Sequence, residues 1–171
     1  PLSKLFVDEI QPKTTGGVIN AKGMVIQVKN FQTSAVDTTT STIPHDDTIP
    51  QNTEGKEFMS LAITPTSSTS KLLITMTVLG SMTSASYIVA ALFKDNDANA
   101  LTASNTDIRA ANYPTTLTFS HYMEAGTTNE ITFKVRAGAD SAATFTINGV
   151  NGARRFGGVA PSSITITEIG A

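Results

Sequence analysis

The chain has 171 residues, a formal net charge of −2 and no cysteine, and its length fits one domain of ordinary size. Without cysteine, neither a disulfide framework nor a cysteine-ligated metal site can form. Twelve basic residues stand against fourteen acidic ones without a basic block, which argues against nucleic-acid binding. No apolar run approaches the ~20 residues of a membrane-spanning helix, which argues against membrane insertion.

The first segment, residues 1–23, combines a small apolar cluster with a stretch rich in Gly, Thr and Pro. Such a stretch does not build a core of its own, so it is predicted to be an attachment arm that orders against another surface. The side chains predicted to attach it are Leu5, Phe6, Val7, Ile10 and Ile19. The start at Pro1 is typical of an N-terminus that has lost its initiator methionine. No signal-peptide core follows, so we expect a whole chain made in the cytoplasm.

Beyond the arm, apolar and polar side chains alternate in a series of short stretches separated by turn residues, which predicts β-strands. The 27 threonines and 15 serines of the chain support this, because Thr favours a pleated, half-exposed surface. The stretches are 24–31, 57–64, 72–78, 87–93, 116–123, 130–136, 143–147 and 163–167. Residues 33–55 are interpreted as a long surface connection and the alanine-rich residues 98–111 as a loop. Residues 24–171 are therefore predicted to form an all-β, jelly-roll-like β-sandwich of two antiparallel sheets.

One stretch departs from this alternation, because every residue from Tyr87 to Phe93 is apolar. A sandwich strand normally buries one face and leaves the other in water, so this strand needs a second cover. That cover is either a loop of the same chain or another subunit. The second alternative predicts a trimer interface, for which the candidate residues are Tyr87, Val89, Ala91, Phe93, Arg154, Arg155 and Glu168.

Glu168 belongs to this set because it stands in phase with two isoleucines of the last strand and is expected to point inward. A buried carboxylate is costly unless it is paired. The candidate partners are Arg154 and Arg155, within the subunit or across the trimer. The alternative is that the strand frays at Thr167 and leaves Glu168 in water.

Candidate catalytic and metal-binding residues are few. His45, Asp46 and Asp47 are interpreted as solvated loop residues, since no fourth ligand accompanies them. His121 is in phase with apolar neighbours and is expected to face the core. The run that begins at Asp95 resembles the start of a calcium loop but lacks the Gly and Glu that such a loop needs later, so a hairpin turn is the better interpretation. We therefore expect no enzyme activity, no metal and no cofactor.

Several stretches together resemble bacteriophage virion surface proteins with a trimeric jelly-roll domain, the class that includes capsid cement proteins and tail-fibre or tailspike tips. The stretches are 5–20, 23–28, 62–74, 90–95 and 161–169. The connection through His45 and the alanine-rich 98–111 segment depart from the pattern. The resemblance implies a homotrimer, a location in the virion and no catalysis.

Three functional hypotheses follow. The preferred one is a capsid decoration protein on the outer head surface, held by its arm to the major capsid protein or another virion protein and aiding adhesion to a host-surface glycan. The second is a tail-fibre or tailspike tip that binds a host receptor, although the chain has no fibrous shaft. The third is a secreted carbohydrate-binding module, which the absence of tryptophan disfavours.

Overall fold

The computed structural model describes residues 22–171, and its regular structure is almost entirely β. The attachment residues predicted in the arm, Leu5 to Ile19, lie outside the described residues. Within 22–171, no helix is long and apolar enough to cross a membrane. The strands are β1 (Val25–Thr33), β2 (Asp37–Thr39), β3 (Lys56–Ile63), β4 (Lys71–Met82), β5 (Ser86–Lys94), β6 (Thr102–Ile108), β7 (Thr115–Glu124), β8 (Ile131–Ala139), β9 (Phe145–Ile147), β10 (Gly149–Val150), β11 (Ala153–Arg154) and β12 (Ser162–Ile169), and a short 3-10 turn spans Phe156–Gly158.

The strands form two antiparallel sheets, which confirms the predicted β-sandwich. Sheet A has the order β1-β12-β4-β9-β2, and β7 also pairs with β4. Sheet B has the order β3-β8-β5-β6, and β10 pairs with β11 in a separate small hairpin. Neighbours within the sheets are mostly distant in sequence, as in β12 with β4, so the fold depends on long-range pairing.

The core lies between the two sheets and follows from the period-two pattern of the strands. On β4, Leu72, Ile74, Met76 and Val78 are buried while the intervening residues are partly exposed. The inward-facing residues of β8 and β12 show the same alternation. Each sheet therefore has one apolar inner face, as the sequence pattern predicted.

The segment 98–111 is not a loop throughout, because it contains β6, which pairs with β5 over its whole length. Its sequence, TASNTDI, hides this strand from pattern analysis. β6 is an edge strand, and apart from Ile108 its side chains remain partly or fully exposed. β6 therefore does not need the alternating apolar residues of a strand that packs in the core.

The second face of β5 is covered by residues 40–55, which we call the covering loop. Ile43 of this loop is fully buried and packs in a separate cluster with Val89, Ala91 and Phe93. The loop is fixed to β8, because the Ile43 backbone N–H donates to the carbonyl of Ala139 at 2.9 Å. A Cβ atom on Gly138 would lie 2.4 Å from the carbonyl oxygen of Ser41, so this close approach requires glycine.

The two ends of the sandwich differ in what they present. At one end the described chain enters and leaves together, since Gly23 N donates to the Gly170 carbonyl at 2.8 Å. At the opposite end, which we call the distal end, β4 finishes beside the start of β12 and β7, and the β10–β11 hairpin closes over them. The central strands run from one end of the sandwich to the other. The entry point of the chain and the distal end therefore lie on opposite sides of the molecule.

Candidate binding surfaces

The outer face of sheet A is open and has almost no charge; we call it the open face. It is formed by the odd-numbered residues of β4 and β12 and the even-numbered residues of β7 and, from Val28 onward, of β1. Its central cross-strand row consists of Asn30, Thr165, Thr75 and Ser120. Hydroxyl and amide groups dominate this row, in keeping with the high threonine content of the sequence.

Charged side chains on the open face are confined to its edge. Of the described residues on it, only Lys71 and Glu124 are charged, and they neutralise each other in an ion pair of 2.5 Å. Large apolar groups are exposed nearby, since Tyr122 is 57% and Val28 55% exposed in one cross-strand row. The face thus combines zero net charge with exposed apolar area.

Sheet B has a different outer surface. Its outward positions include the charged residues Lys134, Arg136 and Asp107, and its apolar strand β5 lies beneath the covering loop. The two outer faces of the sandwich are therefore chemically distinct, and the one on sheet A has no net charge and is not covered by any segment of residues 22–171.

A pocket of about 290 Å³ opens at the distal end, and we call it the distal pocket. Its walls are mainly apolar and include Leu79, Pro114, Val150 and Phe156, with Arg155 at its side. Leu79 also belongs to the open face, so the pocket borders the distal rim of that face.

The hairpin that forms this pocket is fixed from below by buried hydrogen bonds. The side-chain amide of Asn148 donates to the carbonyls of Thr33 and Ala35 at 2.9 and 3.0 Å, and its oxygen accepts from Ser162 at 2.7 Å. The Ser81 hydroxyl donates to the carbonyl of Gly149 at 2.9 Å. The pocket wall is therefore rigidly positioned.

The residue at the mouth of the pocket is held in an unfavourable backbone conformation. Phe156 has φ = +48°, in the left-handed region, and is 77% exposed. Bulky residues rarely adopt this conformation, and such outliers cluster at binding and catalytic sites. Gly157 and Gly158 continue the left-handed turn at φ values of +63° and +92°.

Arg154 and Arg155 precede this turn and are both exposed. Among the described residues, neither has a carboxylate within ion-pair distance, whereas Arg109 in the neighbouring loop pairs with Asp107 at 3.0 Å. Tyr113, 65% exposed, lies between two residues of the pocket wall. The distal end therefore presents aromatic rings beside free guanidinium groups.

Glu168 is buried, as its phase on β12 predicted, but within the described chain its partners are not Arg154 and Arg155. Its carboxylate is fully buried and accepts hydrogen bonds from Gln27 Nε2 at 2.6 Å and from the backbone and hydroxyl of Thr66 at 2.8 and 2.7 Å. Burial opposes ionisation, but these donors outweigh it and hold the pKa of Glu168 below its ordinary value. Arg154 and Arg155 lie at the other end of the molecule and play no part.

The strand 87–93 does not need another subunit as its cover. Tyr87 packs against the cluster under the covering loop, in which Val89, Ala91 and Phe93 are buried. The argument that placed a trimer contact on this strand therefore no longer applies, because the chain itself supplies the second cover.

The two histidines are far apart in the fold and have different surroundings. His45 stacks on Tyr87 with ring centroids 4.4 Å apart and contacts Asn105 at 3.2 Å, beside a polar pocket of about 260 Å³. His121 lies half-buried on the inner side of β7, where burial lowers its pKa. Between residues 22 and 171, no three His, Asp or Glu side chains are grouped closely enough to hold a metal ion.

The model of the Pgp3 C-terminal domain family matches residues 28–171, which is most of the chain. The chain belongs to the Pgp3 C-terminal domain family. This is a family of bacterial virulence proteins, named after a Chlamydia protein, and not of phage structural proteins. The predicted function as a capsid decoration protein, and the tail-fibre alternative, are therefore wrong.

Solved structures with a similar chain trace are remote from this Pgp3-family chain. They include latent PorU from Porphyromonas gingivalis, with a TM-score of 0.43 and 10% identity over 92% of this chain and 14% of that chain. A structure of infectious bursal disease virus, Gx strain, gives a TM-score of 0.40 and 12% identity over 98% of this chain and 42% of that chain. The carbohydrate-binding module CBM36, in complex with calcium and xylotriose, gives 0.38 and 13% identity over 81% and 98%. At these TM-scores the likenesses carry no functional argument, and no curated protein sequence matches the chain.

The open face and the left-handed turn are candidate functional features that sequence reasoning missed. A signal for the first was present, because most of the outward positions of β4, β7 and β12 are Thr or Ser where a solvated sheet usually carries Lys or Glu. A signal for the second was the pair Gly157 and Gly158 after an aromatic residue. Neither signal shows by itself which strands lie side by side.

Proposed function

We propose that this chain is a non-enzymatic binding domain that assembles into a homotrimer through the open face of sheet A. The observation that carries the proposal is the absence of unpaired charge among the described residues of that face. Interface cores are depleted of charged residues and enriched in aromatic ones, and Tyr122 supplies an exposed aromatic ring here. The proposal moves the subunit contact from strand 87–93 to the opposite sheet.

The occupant that best fits the open face is another copy of the same chain. Hydroxyl and amide groups can both donate and accept hydrogen bonds, so three copies of a face rich in them can bond to one another around a three-fold axis. Closed symmetry also protects the exposed edge strand β1, whose Val28 and Phe31 are 55% and 38% exposed. Three copies is the number that the sequence resemblance implied, and a mass measurement tests that number separately from the contact itself.

The absence of catalysis is part of the proposal. His45 lies outside sheet B and His121 faces the inside of sheet A, so the two histidines do not converge. The side chain of Asp46 accepts hydrogen bonds from Thr48, which lower its pKa and fit it for capping a turn. These contacts are those of loop and core residues.

A matched pair of arginine substitutions tests the assembly. Ser120 is exposed at the middle of β7, in the central cross-strand row of the open face, and Ser60 is exposed on the outer side of β3 in sheet B. Light scattering should give about three times the 18.0 kDa chain mass for the native protein and for Ser60→Arg. Ser120→Arg should give a folded monomer, because three added charges would be buried without partners.

Two results would contradict this proposal in different ways. A native protein that is monomeric at micromolar concentration would remove self-assembly altogether. A trimer that survives Ser120→Arg with unchanged mass would keep the assembly but place its contact elsewhere.

A further inference from the structure

We propose that the distal pocket binds an acidic peptide segment that inserts one large apolar side chain beside Arg155. The inference rests on the proposed function only in treating the chain as a binding domain. It adds a site and a ligand class, and it does not depend on how many copies assemble.

The shape and lining of the pocket fit a single apolar side chain. Its volume of about 290 Å³ lies at the lower end of the range for ligand pockets. Leu79, Pro114 and Val150 form the walls, and the ring of Phe156 stands at the mouth. A side chain of the size of Leu or Phe would remove apolar surface from water on both partners, and that burial favours binding.

The polar groups of the pocket favour a peptide over a sugar. A sugar needs several free donors and acceptors for its hydroxyl groups, because unpaired polar groups are costly to bury. The buried Asn148 cannot supply them, since its amide nitrogen and its oxygen are already engaged by Thr33, Ala35 and Ser162, which leaves the Asn112 side chain as the one uncommitted amide of the lining within residues 22–171. The charged group that lines the pocket is Arg155.

The charge at the distal end selects an acidic segment. Arg154 and Arg155 have no carboxylate partner among residues 22–171, and Arg109 brings its own counter-charge in Asp107. The site therefore has an excess of two positive charges. Carboxylates that flank the apolar side chain would form charge-assisted, bidentate hydrogen bonds with these guanidinium groups.

The pocket is preformed in the absence of a ligand. The buried hydrogen bonds of Asn148 and Ser81 fix the hairpin, and a Cβ atom on Gly149 would lie 2.5 Å from the carbonyl of Ala153. The left-handed backbone of Phe156 has a conformational cost, and its ring is largely exposed. A ligand that packs against the ring would account for that cost.

Fluorescence anisotropy with the full chain and a labelled peptide, Gly-Asp-Glu-Phe-Asp-Glu-Gly, tests the inference. The native protein should bind this peptide, and Arg155→Gln and Phe156→Asn should each weaken binding by about tenfold or more. Lys29→Gln, which removes an exposed charge from the middle of β1, should leave binding unchanged. A peptide with Ser in place of its Phe, and one with Asn and Gln in place of its acids, should both bind at least tenfold more weakly.

Each alternative occupant gives its own result. Equal binding of the neutral and the acidic peptide would overturn the charge assignment. Binding of sialyllactose in place of the peptide, lost in Arg155→Gln, would identify an acidic glycan and overturn the peptide. A lower assembly mass in Phe156→Asn would show that a neighbouring copy fills the pocket, which would also overturn the inference.

The same titration on Ser120→Arg separates this inference from the proposed assembly. If that variant is monomeric and binds the peptide, both proposals stand. If the native protein is itself monomeric and binds the peptide, the assembly fails and the inference stands. No peptide binding by either protein would overturn the inference and leave the assembly intact.

Discussion

Glu168 shows how a charge can be buried in this fold without a cationic partner. Its two carboxylate oxygens accept three hydrogen bonds from neutral donors on Gln27 and Thr66. Hydrogen bonds to the charged form favour ionisation, which explains the lowered pKa of Glu168 despite complete burial. These contacts join β1, the turn before β4 and β12 at the entry end of the sandwich.

Replacing this carboxylate should destabilise the protein in a pH-dependent way. Glu168→Gln should lower the free energy of unfolding by about 1–3 kcal/mol near neutral pH, because an amide cannot accept all three hydrogen bonds. The folded-state pKa lies below the ordinary 4.5, so this stabilisation is present above 4.5 and is lost as the pH falls through the folded-state value. Urea denaturation at several pH values measures it. Glu124→Gln, on an exposed pair, should change stability by less than about 1 kcal/mol, and an equal effect in both variants would refute this account.

Phe156 is a residue at which stability and binding should move in opposite directions. Asn tolerates the left-handed backbone better than Phe, so Phe156→Asn should stabilise the isolated protein by about 1 kcal/mol. Val159 is 80% exposed but has a negative φ of −100°, so Val159→Asn should give no such gain. Chemical denaturation compares the two; a loss of stability in Phe156→Asn would mean that the ring contributes to the fold.

The sequence predicts the inward direction of Glu168 but not its partners. Its direction follows from the period of two along β12. Its partners come from β1 and from the turn at Thr66, which are 141 and 102 residues away in the chain. Arg154 and Arg155 are near Glu168 in sequence, yet they precede β12 at the distal end. Glu168 lies near the last residue of β12, at the entry end. Sequence proximity is therefore a poor guide to pairing in a sheet built from distant strands.

At the scale of elements, the covering loop and β5 form a second small core. The loop has no regular structure beyond single bridges, but it buries Ile43 completely against Val89, Ala91 and Phe93. This explains why a strand in sheet B is apolar on both faces. The sequence showed that a second cover was needed and left open which one, because a loop rich in Thr, Asp and Pro gives no sign that one of its residues is buried.

Two isoleucines of the same loop allow a matched test of this cover. Ile43→Ala should cost about 2–5 kcal/mol, since it leaves a cavity in a closed cluster. Ile49 is 56% exposed, so Ile49→Ala should change stability by less than about 0.5 kcal/mol. Thermal or urea denaturation distinguishes them. Equal, small effects would mean that the loop lies on β5 without stabilising it.

Strands with strict alternation were predictable as elements, and β6 was not. β12 alternates over its whole length, and β4 and β8 over all but their last three residues, because each has one core face and one polar face. β6 is an edge strand with Ala, Ser, Asn and Asp at most positions, and its place is fixed by pairing with β5. Pairing between strands is a tertiary property, so the pattern of β6 alone does not reveal it.

On the scale of the whole molecule, the chain termini of the described part, the distal pocket and the open face occupy separate places. The chain enters and leaves at one end, the distal pocket lies at the other, and the open face runs between them along sheet A. Membership of the Pgp3 C-terminal domain family replaces the phage assignment. That assignment rested on short, low-complexity stretches, which many β-sandwiches rich in Thr and Ser can share. The open face could not be derived from the sequence because it requires the order of four strands.

The most direct test of the account asks which face is buried in solution. The chain has no cysteine, so a single introduced thiol reports on one place. Ser120→Cys and Ser60→Cys put that thiol in the central row of the open face and on the outer side of sheet B, and the rate at which a bulky maleimide modifies it is measured. The account predicts that the Ser120→Cys thiol is protected in the native assembly and becomes reactive on dilution to monomers, while the Ser60→Cys thiol reacts freely throughout. Equal, rapid modification of both thiols at concentrations where the assembly is intact would contradict it.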